Sequence, residues 1–84
     1  METLSYIGAV LTIASFLPQA LKTIKTRQTR DLSLPTYLLL LSGSIVWALY
    51  GVEAGSIAIV ITNSVVAISS SVIIYIKISK NSLK

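Results

Sequence analysis

The sequence predicts an all-α membrane protein, a bundle of three transmembrane helices. The chain is 54% hydrophobic and 12% charged, with a mean hydropathy of +0.81. Three apolar stretches, approximately residues 3–24, 34–52 and 55–77, fill it almost end to end, and each approaches the ~20 residues that cross a bilayer as a helix. We therefore expect residues 1–84 to form a single three-helix transmembrane domain whose function is performed inside the lipid bilayer.

Composition excludes several classes of function. The chain has no Cys and no His, which argues against thiol chemistry, haem and the usual transition-metal sites, so we expect no cofactor and no metal. The sequence shows no nucleophile paired with a base, so we do not expect an enzyme. The net charge of +4 comes from residues at the ends of the spans, which favours an effect of membrane topology over nucleic-acid binding.

The basic residues predict the orientation of the chain. Four of them lie at or just beyond the C-terminal end of the first span and three at or beyond that of the third span, whereas Glu53 is the charge between the second and third spans. Because cytoplasmic loops carry an excess of Lys and Arg, we expect the N-terminus outside and the C-terminus in the cytoplasm. The seven basic residues are Lys22, Lys25, Arg27, Arg30, Lys77, Lys80 and Lys84.

The two connections carry capping and turn residues. In the inner connection, Asp31 and Ser33 are candidate caps for the second helix. Pro35 lies near the start of that helix, where a missing N–H costs little. The outer connection is shorter, and Gly51 and Gly55 predict a tight turn that makes the second and third spans an antiparallel hairpin.

Each span carries small or polar residues on one helical face. Such stripes often serve only to let helices pack closely, and we interpret most of the serines and glycines in this way. Primary amides are different, because at membrane depth they must face protein, water or a ligand. The stripes are Ser5, Gly8, Thr12, Ser15 and Gln19 in the first span, Gly43, Trp47 and Tyr50 in the second, and Ser56, Asn63 and Ser70 in the third.

Asn63 and Trp47 are the strongest candidates for ligand contact. At a rise of about 1.5 Å per residue, they lie roughly 14 and 8 Å inside the outer membrane boundary. An indole beside an amide suits a polyhydroxylated ligand, since the ring can cover C–H faces while the amide bonds hydroxyls. Trp47 can alternatively be an interfacial or packing residue, and Tyr50 an interfacial anchor or a gate. Pro18 removes a backbone hydrogen bond within the first span and is a candidate hinge.

The segments SFLPQ at 15–19 and QTRDLS at 28–33, followed by Trp47, Tyr50 and Asn63, closely resemble the bacterial SemiSWEET sugar transporters of the PQ-loop superfamily. The resemblance covers nearly the whole chain. It implies that one chain is half of a transporter in the bacterial inner membrane, and that two copies form a parallel homodimer around a central sugar site. The larger SWEET proteins contain two such units as parallel repeats in one chain.

The resemblance also implies residue roles. Trp47 and Asn63 would contact the sugar, and Pro18 and Gln19 would form the hinge. Phe16 would lie at the inner constriction and Tyr50 at the outer gate. In some family members an Arg and an Asp follow that Tyr, at positions where this chain has Ala54 and Ser56.

The expected function is facilitated diffusion of a mono- or disaccharide by alternating access. The spans contain no acidic residue, so we expect a uniporter without a coupling ion. One alternative is a non-transporting membrane subunit or assembly protein, in which the polar stripes pack against a partner. Another is a PQ-loop transporter for a different solute, such as an amino acid.

Overall fold

The computed structural model describes residues 2–82, with side chains as far as Ser79. It contains three α-helices, α1 (Glu2–Thr26), α2 (Leu34–Ala54) and α3 (Ile57–Ser82). All three are long and apolar enough to cross a membrane, which confirms the all-α, three-helix class. Of the basic residues used above, Lys84 and the side chain of Lys80 lie outside the described part of the chain.

α1 is a continuous helix that passes through Pro18. A proline ring cannot donate to the carbonyl four residues earlier, which here belongs to Ala14, so α1 lacks one bond of its ladder without being interrupted. The helix ends at Thr26, where Arg27 adopts a left-handed φ of 57°. The Arg27 N–H still donates to the Thr23 carbonyl over 2.8 Å, which completes the last turn.

The inner connection between α1 and α2 is fastened at both ends. Ser33 caps α2: its Oγ accepts from the Thr36 N–H at 3.3 Å, and Pro35 lies in the first turn, as predicted. Thr29 is buried, and its carbonyl accepts from the Leu32 N–H at 3.1 Å. The same carbonyl accepts a hydrogen bond from Lys77 of α3.

The outer connection consists of Gly55 and Ser56 alone. Gly55 has a φ of 72°, a conformation that glycine adopts without a steric penalty. The Gly55 and Ser56 N–H groups donate to Val52 and Gly51 carbonyls at 3.2 and 2.8 Å, which forms a Schellman motif. Ser56 Oγ then accepts from the Ile59 N–H at 3.3 Å and caps α3.

Gly51 contributes its carbonyl to this turn, although the residue itself lies within α2, which continues to Ala54. Gly51 also allows close packing of α2 on α3. A Cβ atom at Gly51 would lie 2.9 Å from Ile59 Cγ2 and 3.0 Å from both the backbone N and Cγ2 of Val60. The less exposed face of α2, which packs on α3, comprises Tyr37, Leu41, Ser44, Ala48 and Gly51.

α3 lies between the other two helices. It packs against both α1 and α2, whereas within the described chain α1 and α2 do not contact each other. The protomer measures 48 × 22 × 14 Å, which is the shape of an open layer of helices. Such a layer cannot enclose a cavity by itself.

α1 contacts α3 through an apolar face and not through its polar stripe. Its less exposed positions include Ala9, Ile13, Phe16 and Ala20, which recur at helical spacing. Most of the polar stripe lies beside this face and is exposed: Gly8, Thr12, Ser15 and Gln19. The packing role that the sequence suggested for these residues is therefore not fulfilled within one chain.

Candidate functional site

A groove of about 200 Å³ runs between α1 and α3. It is formed near the N-terminal ends of both helices, which the predicted topology assigns to the outer half of the membrane. The groove is open along one side, so its lining is accessible from outside the chain. Its lining residues are Ser5, Gly8, Ala9 and Thr12 of α1 and Ala58, Ile59, Thr62 and Asn63 of α3.

Asn63 supplies the amide of the groove. Its Nδ2 donates to the Ile59 carbonyl of its own helix at 2.9 Å. An amide has two N–H donors and one carbonyl oxygen, so one N–H and Oδ1 remain for another partner. The self-bond also limits how the amide can rotate, which holds the unused groups in place.

Two groove hydroxyls are committed to their own helices. Ser5 Oγ donates to the Glu2 carbonyl at 2.7 Å, and Thr62 Oγ1 donates to the Ala58 carbonyl at 2.8 Å. Bonds of this kind satisfy a hydroxyl in a membrane helix without a neighbour. The groove therefore combines largely apolar walls with a few polar groups, among which Asn63 retains unused hydrogen-bonding capacity.

Trp47 and Tyr50 lie on α2, outside the groove. Their rings meet edge to face, with centroids 5.6 Å apart and an interplanar angle of 89°. Both are half exposed, Trp47 at 56% and Tyr50 at 50%. Since α3 separates α1 from α2, neither ring contributes to the groove lining.

The predicted hinge and inner-gate residues lie further along α1, toward its C-terminal end. Pro18 and Gln19 are exposed, and Phe16 is half-buried. None of the three lines the groove. A single chain therefore does not bring the predicted binding, hinge and gate residues into one site.

Sequence reasoning missed the contribution of Gly8, Thr12 and Thr62 to the groove. The available signal is the helical stripe that Gly8 and Thr12 share with Ser5, whereas Thr62 directly precedes Asn63 and lies beside its stripe. Which side of α1 meets α3 depends on tertiary packing, and the stripes did not reveal it. A Cβ at Gly8 would meet no heavy atom within 4 Å, so this glycine is not required for close packing inside the chain.

These features define a small multi-pass membrane protein with polar surface left exposed on a three-helix layer. Residues 1–56 match the PQ loop repeat family. A protein of Leptospira biflexa named sugar transporter SemiSWEET is 37% identical over 81 residues, which cover 95% of each chain. An Escherichia coli protein of the same name is 38% identical over 77% of this chain and 76% of its own.

A solved structure of a SemiSWEET in the inward-open conformation superposes with a TM-score of 0.90. The match covers 96% of this chain and 87% of the other, at 30% identity. The chain therefore belongs to the SemiSWEET family of PQ-loop proteins.

Proposed function

We propose that this chain is a facilitative sugar transporter that works as a parallel two-fold homodimer in the bacterial inner membrane. The observation that carries the proposal is the exposed groove with the unused amide groups of Asn63. Polar groups at membrane depth need a partner other than lipid. The relatives are named sugar transporters, and the hydroxyl groups of a sugar would be such a partner.

The shape of the protomer supports the proposed dimer. A layer of three helices with an open groove leaves the amide facing lipid, whereas a second copy in the same orientation closes the space from the other side. A two-fold axis along the membrane normal presents the same surface from each chain. It also duplicates each site residue, so that two Asn63 amides and two Trp47 rings surround one ligand.

Trp47 and Asn63 have complementary roles in this proposal. The exposed indole of Trp47 offers an apolar face on which the C–H groups of a sugar ring can lie, and the amide of Asn63 bonds sugar hydroxyls. The edge-on contact of Tyr50 limits rotation of the indole. Tyr50 itself, nearer the C-terminal end of α2, forms the outer gate with its symmetry mate.

Alternating access is proposed to arise from bending of α1 at Pro18 and Gln19, with Phe16 at the inner constriction. The freed carbonyl before the proline lowers the cost of bending there. The likeness to an inward-open relative supports the same conformation for this protomer. No Asp, Glu, Lys or Arg lies in residues 3–21, 34–52 or 57–76, which supports uniport without a proton or sodium site.

Uptake of radiolabelled sugars into proteoliposomes tests the function. The panel is glucose, galactose, fructose, sucrose and trehalose. We expect time-dependent uptake of at least one of these sugars, and we expect imposed proton or sodium gradients to leave it unchanged. Protease protection in cells tests the topology separately, with the N-terminus expected outside and the C-terminus inside.

Asn63→Ala is expected to lower that uptake about tenfold or more, because each dimer loses two hydrogen-bonding amides worth roughly 1 kcal/mol each. Ser71→Ala is the matched control, since the Ser71 hydroxyl bonds the Ala67 carbonyl of its own helix at 2.8 Å, outside the groove. Uptake of none of the sugars by wild type, or equal uptake by Asn63→Ala, would contradict the proposal. Accumulation driven by a gradient would contradict uniport.

A further inference from the structure

Thr12 differs from the other groove residues in how its hydroxyl is used. Threonine in a helix commonly donates to the carbonyl three or four residues earlier. Thr62 does so, and Ser5 likewise bonds to its own helix. Among the groove side chains in the described structure, the Thr12 hydroxyl alone makes no hydrogen bond.

Thr12 and Asn63 occupy corresponding positions in the groove. The lining runs from Ser5 to Thr12 on α1 and from Ala58 to Asn63 on α3. Both helices enter the groove from their N-terminal ends, so Thr12 and Asn63 are the last lining residues on their respective sides. The end of the lining that lies farther along both helices therefore includes Thr12 on α1 and Asn63 on α3.

The unused groups at this end match a pair of adjacent sugar hydroxyls. Asn63 retains one N–H and Oδ1, and Thr12 retains an O–H donor with an oxygen that can accept. Two donors and two acceptors on facing walls can bond two neighbouring hydroxyls, each of which both donates and accepts. An apolar ligand would leave the Thr12 hydroxyl and the amide unpaired, which is costly away from water.

We propose that Thr12 is a specificity-determining residue that hydrogen-bonds one hydroxyl of a vicinal pair, the other hydroxyl being bonded by Asn63. The inference rests on the proposed sugar transport and deepens it by naming the substrate feature that is read. Sugars that carry an adjacent diol at this end of the site are accepted, and their monodeoxy analogues are discriminated against, because a missing hydroxyl leaves Thr12 unpaired.

The test combines substitutions with substrate analogues in a double-mutant cycle. Thr12→Val removes the hydroxyl and keeps the shape, and Thr12→Ser keeps the hydroxyl. Thr62→Val removes a groove hydroxyl that its own helix already engages. Thr26→Val makes the same change elsewhere on α1, where the hydroxyl donates to the Lys22 carbonyl at 2.8 Å. The probes are the panel sugar with the highest uptake and its monodeoxy analogues as competitors in proteoliposomes.

For wild type we expect one monodeoxy analogue to compete about tenfold less well than the parent sugar, the scale of one lost hydrogen bond. Thr12→Val should lower uptake of the parent about fivefold to tenfold and reduce that discrimination to within about twofold. Thr12→Ser and Thr62→Val should keep the wild-type ranking of analogues, and Thr26→Val should match wild type in uptake.

Three outcomes would overturn the inference. Thr12→Val could retain the wild-type discrimination, Thr12→Ser could lose it, or Thr62→Val could lose it as completely as Thr12→Val. Where Thr12→Val does not fold, Thr12→Ala removes the same hydroxyl and should likewise reduce the discrimination to within about twofold. Failure of wild type to take up any panel sugar would instead overturn the proposed function, and this inference with it.

Discussion

The ammonium group of Lys77 donates a hydrogen bond to the main-chain carbonyl of Thr29 over 2.9 Å. The two residues are 48 positions apart, whereas the side-chain hydrogen bonds of Ser5 and Ser71, for example, reach only three or four positions along their own helices. Thr29 is 2% exposed, and Lys77 is half-buried. The bond therefore ties the connection between α1 and α2 to the C-terminal half of α3.

We predict that Lys77→Met loosens this connection. Thr29→Cys provides a labelling site at this connection, because the chain has no native Cys. Thr29→Cys also keeps the main-chain carbonyl that accepts the Lys77 hydrogen bond. If the bond contributes about 1 kcal/mol at its half-buried position, Thr29→Cys should react with a maleimide about fivefold faster once Lys77 is replaced. Lys25→Met, at an exposed amine of α1, is the control. Equal labelling rates for Thr29→Cys alone, with Lys77→Met and with Lys25→Met would show that the Lys77 hydrogen bond does not hold the connection in place.

Gly51→Ala should destabilise the protein by about 1–3 kcal/mol, the usual cost of overpacking. The added Cβ would lie 2.9 Å from Ile59 Cγ2 and 3.0 Å from the Val60 backbone, so α2 would have to move away from α3. Gly43→Ala on the same helix is the control, because a Cβ there meets no atom within 4 Å. Thermal unfolding in detergent measures both, and an equal loss of stability would contradict the packing assignment.

Pro18→Ala should slow transport about tenfold or more while leaving sugar affinity nearly unchanged. The substitution restores a backbone donor within α1, which stiffens the helix at the proposed hinge. Pro35→Ala is the control, since Pro35 occupies the first turn of α2, where the N–H has no partner within the helix. Uptake rates compared with calorimetric affinities separate the two effects. A parallel loss of affinity and rate would argue against a hinge.

The fold was largely predictable from the sequence because bilayer thickness and hydropathy determine span number, and Ser33, Pro35 and Gly55 mark the connections locally. The spatial arrangement of the three helices could not be predicted in the same way. All three spans carry polar stripes, and nothing in their periodicity indicates that α3 lies between the others. The same limit affected the site: Asn63 was found because an amide in an apolar span is unusual, whereas Thr12 and Gly8 resemble ordinary packing residues.

Trp47 is the chain's single tryptophan, so its fluorescence reports directly on the proposed stacking. We predict that a transported sugar changes the intensity or wavelength of emission in a saturable manner, because C–H groups replace solvent beside the exposed indole. The change should saturate at about the concentration that half-saturates transport. Asn63→Ala should shift the titration to higher concentrations, whereas Ser71→Ala should leave it in place. An emission spectrum unaffected by a transported sugar would place the ligand elsewhere.

The central claim is that two identical chains build one sugar site. Wild-type protein and Asn63→Ala can be mixed as unfolded or detergent-separated chains, reassociated and reconstituted at varied ratios with total protein held constant. With each amide worth roughly 1 kcal/mol, a mixed dimer keeps about a fifth of the wild-type rate, so an equal mixture retains about a third of the wild-type rate. A rate that falls in direct proportion to the wild-type fraction, leaving about half at equal amounts, would contradict a shared site.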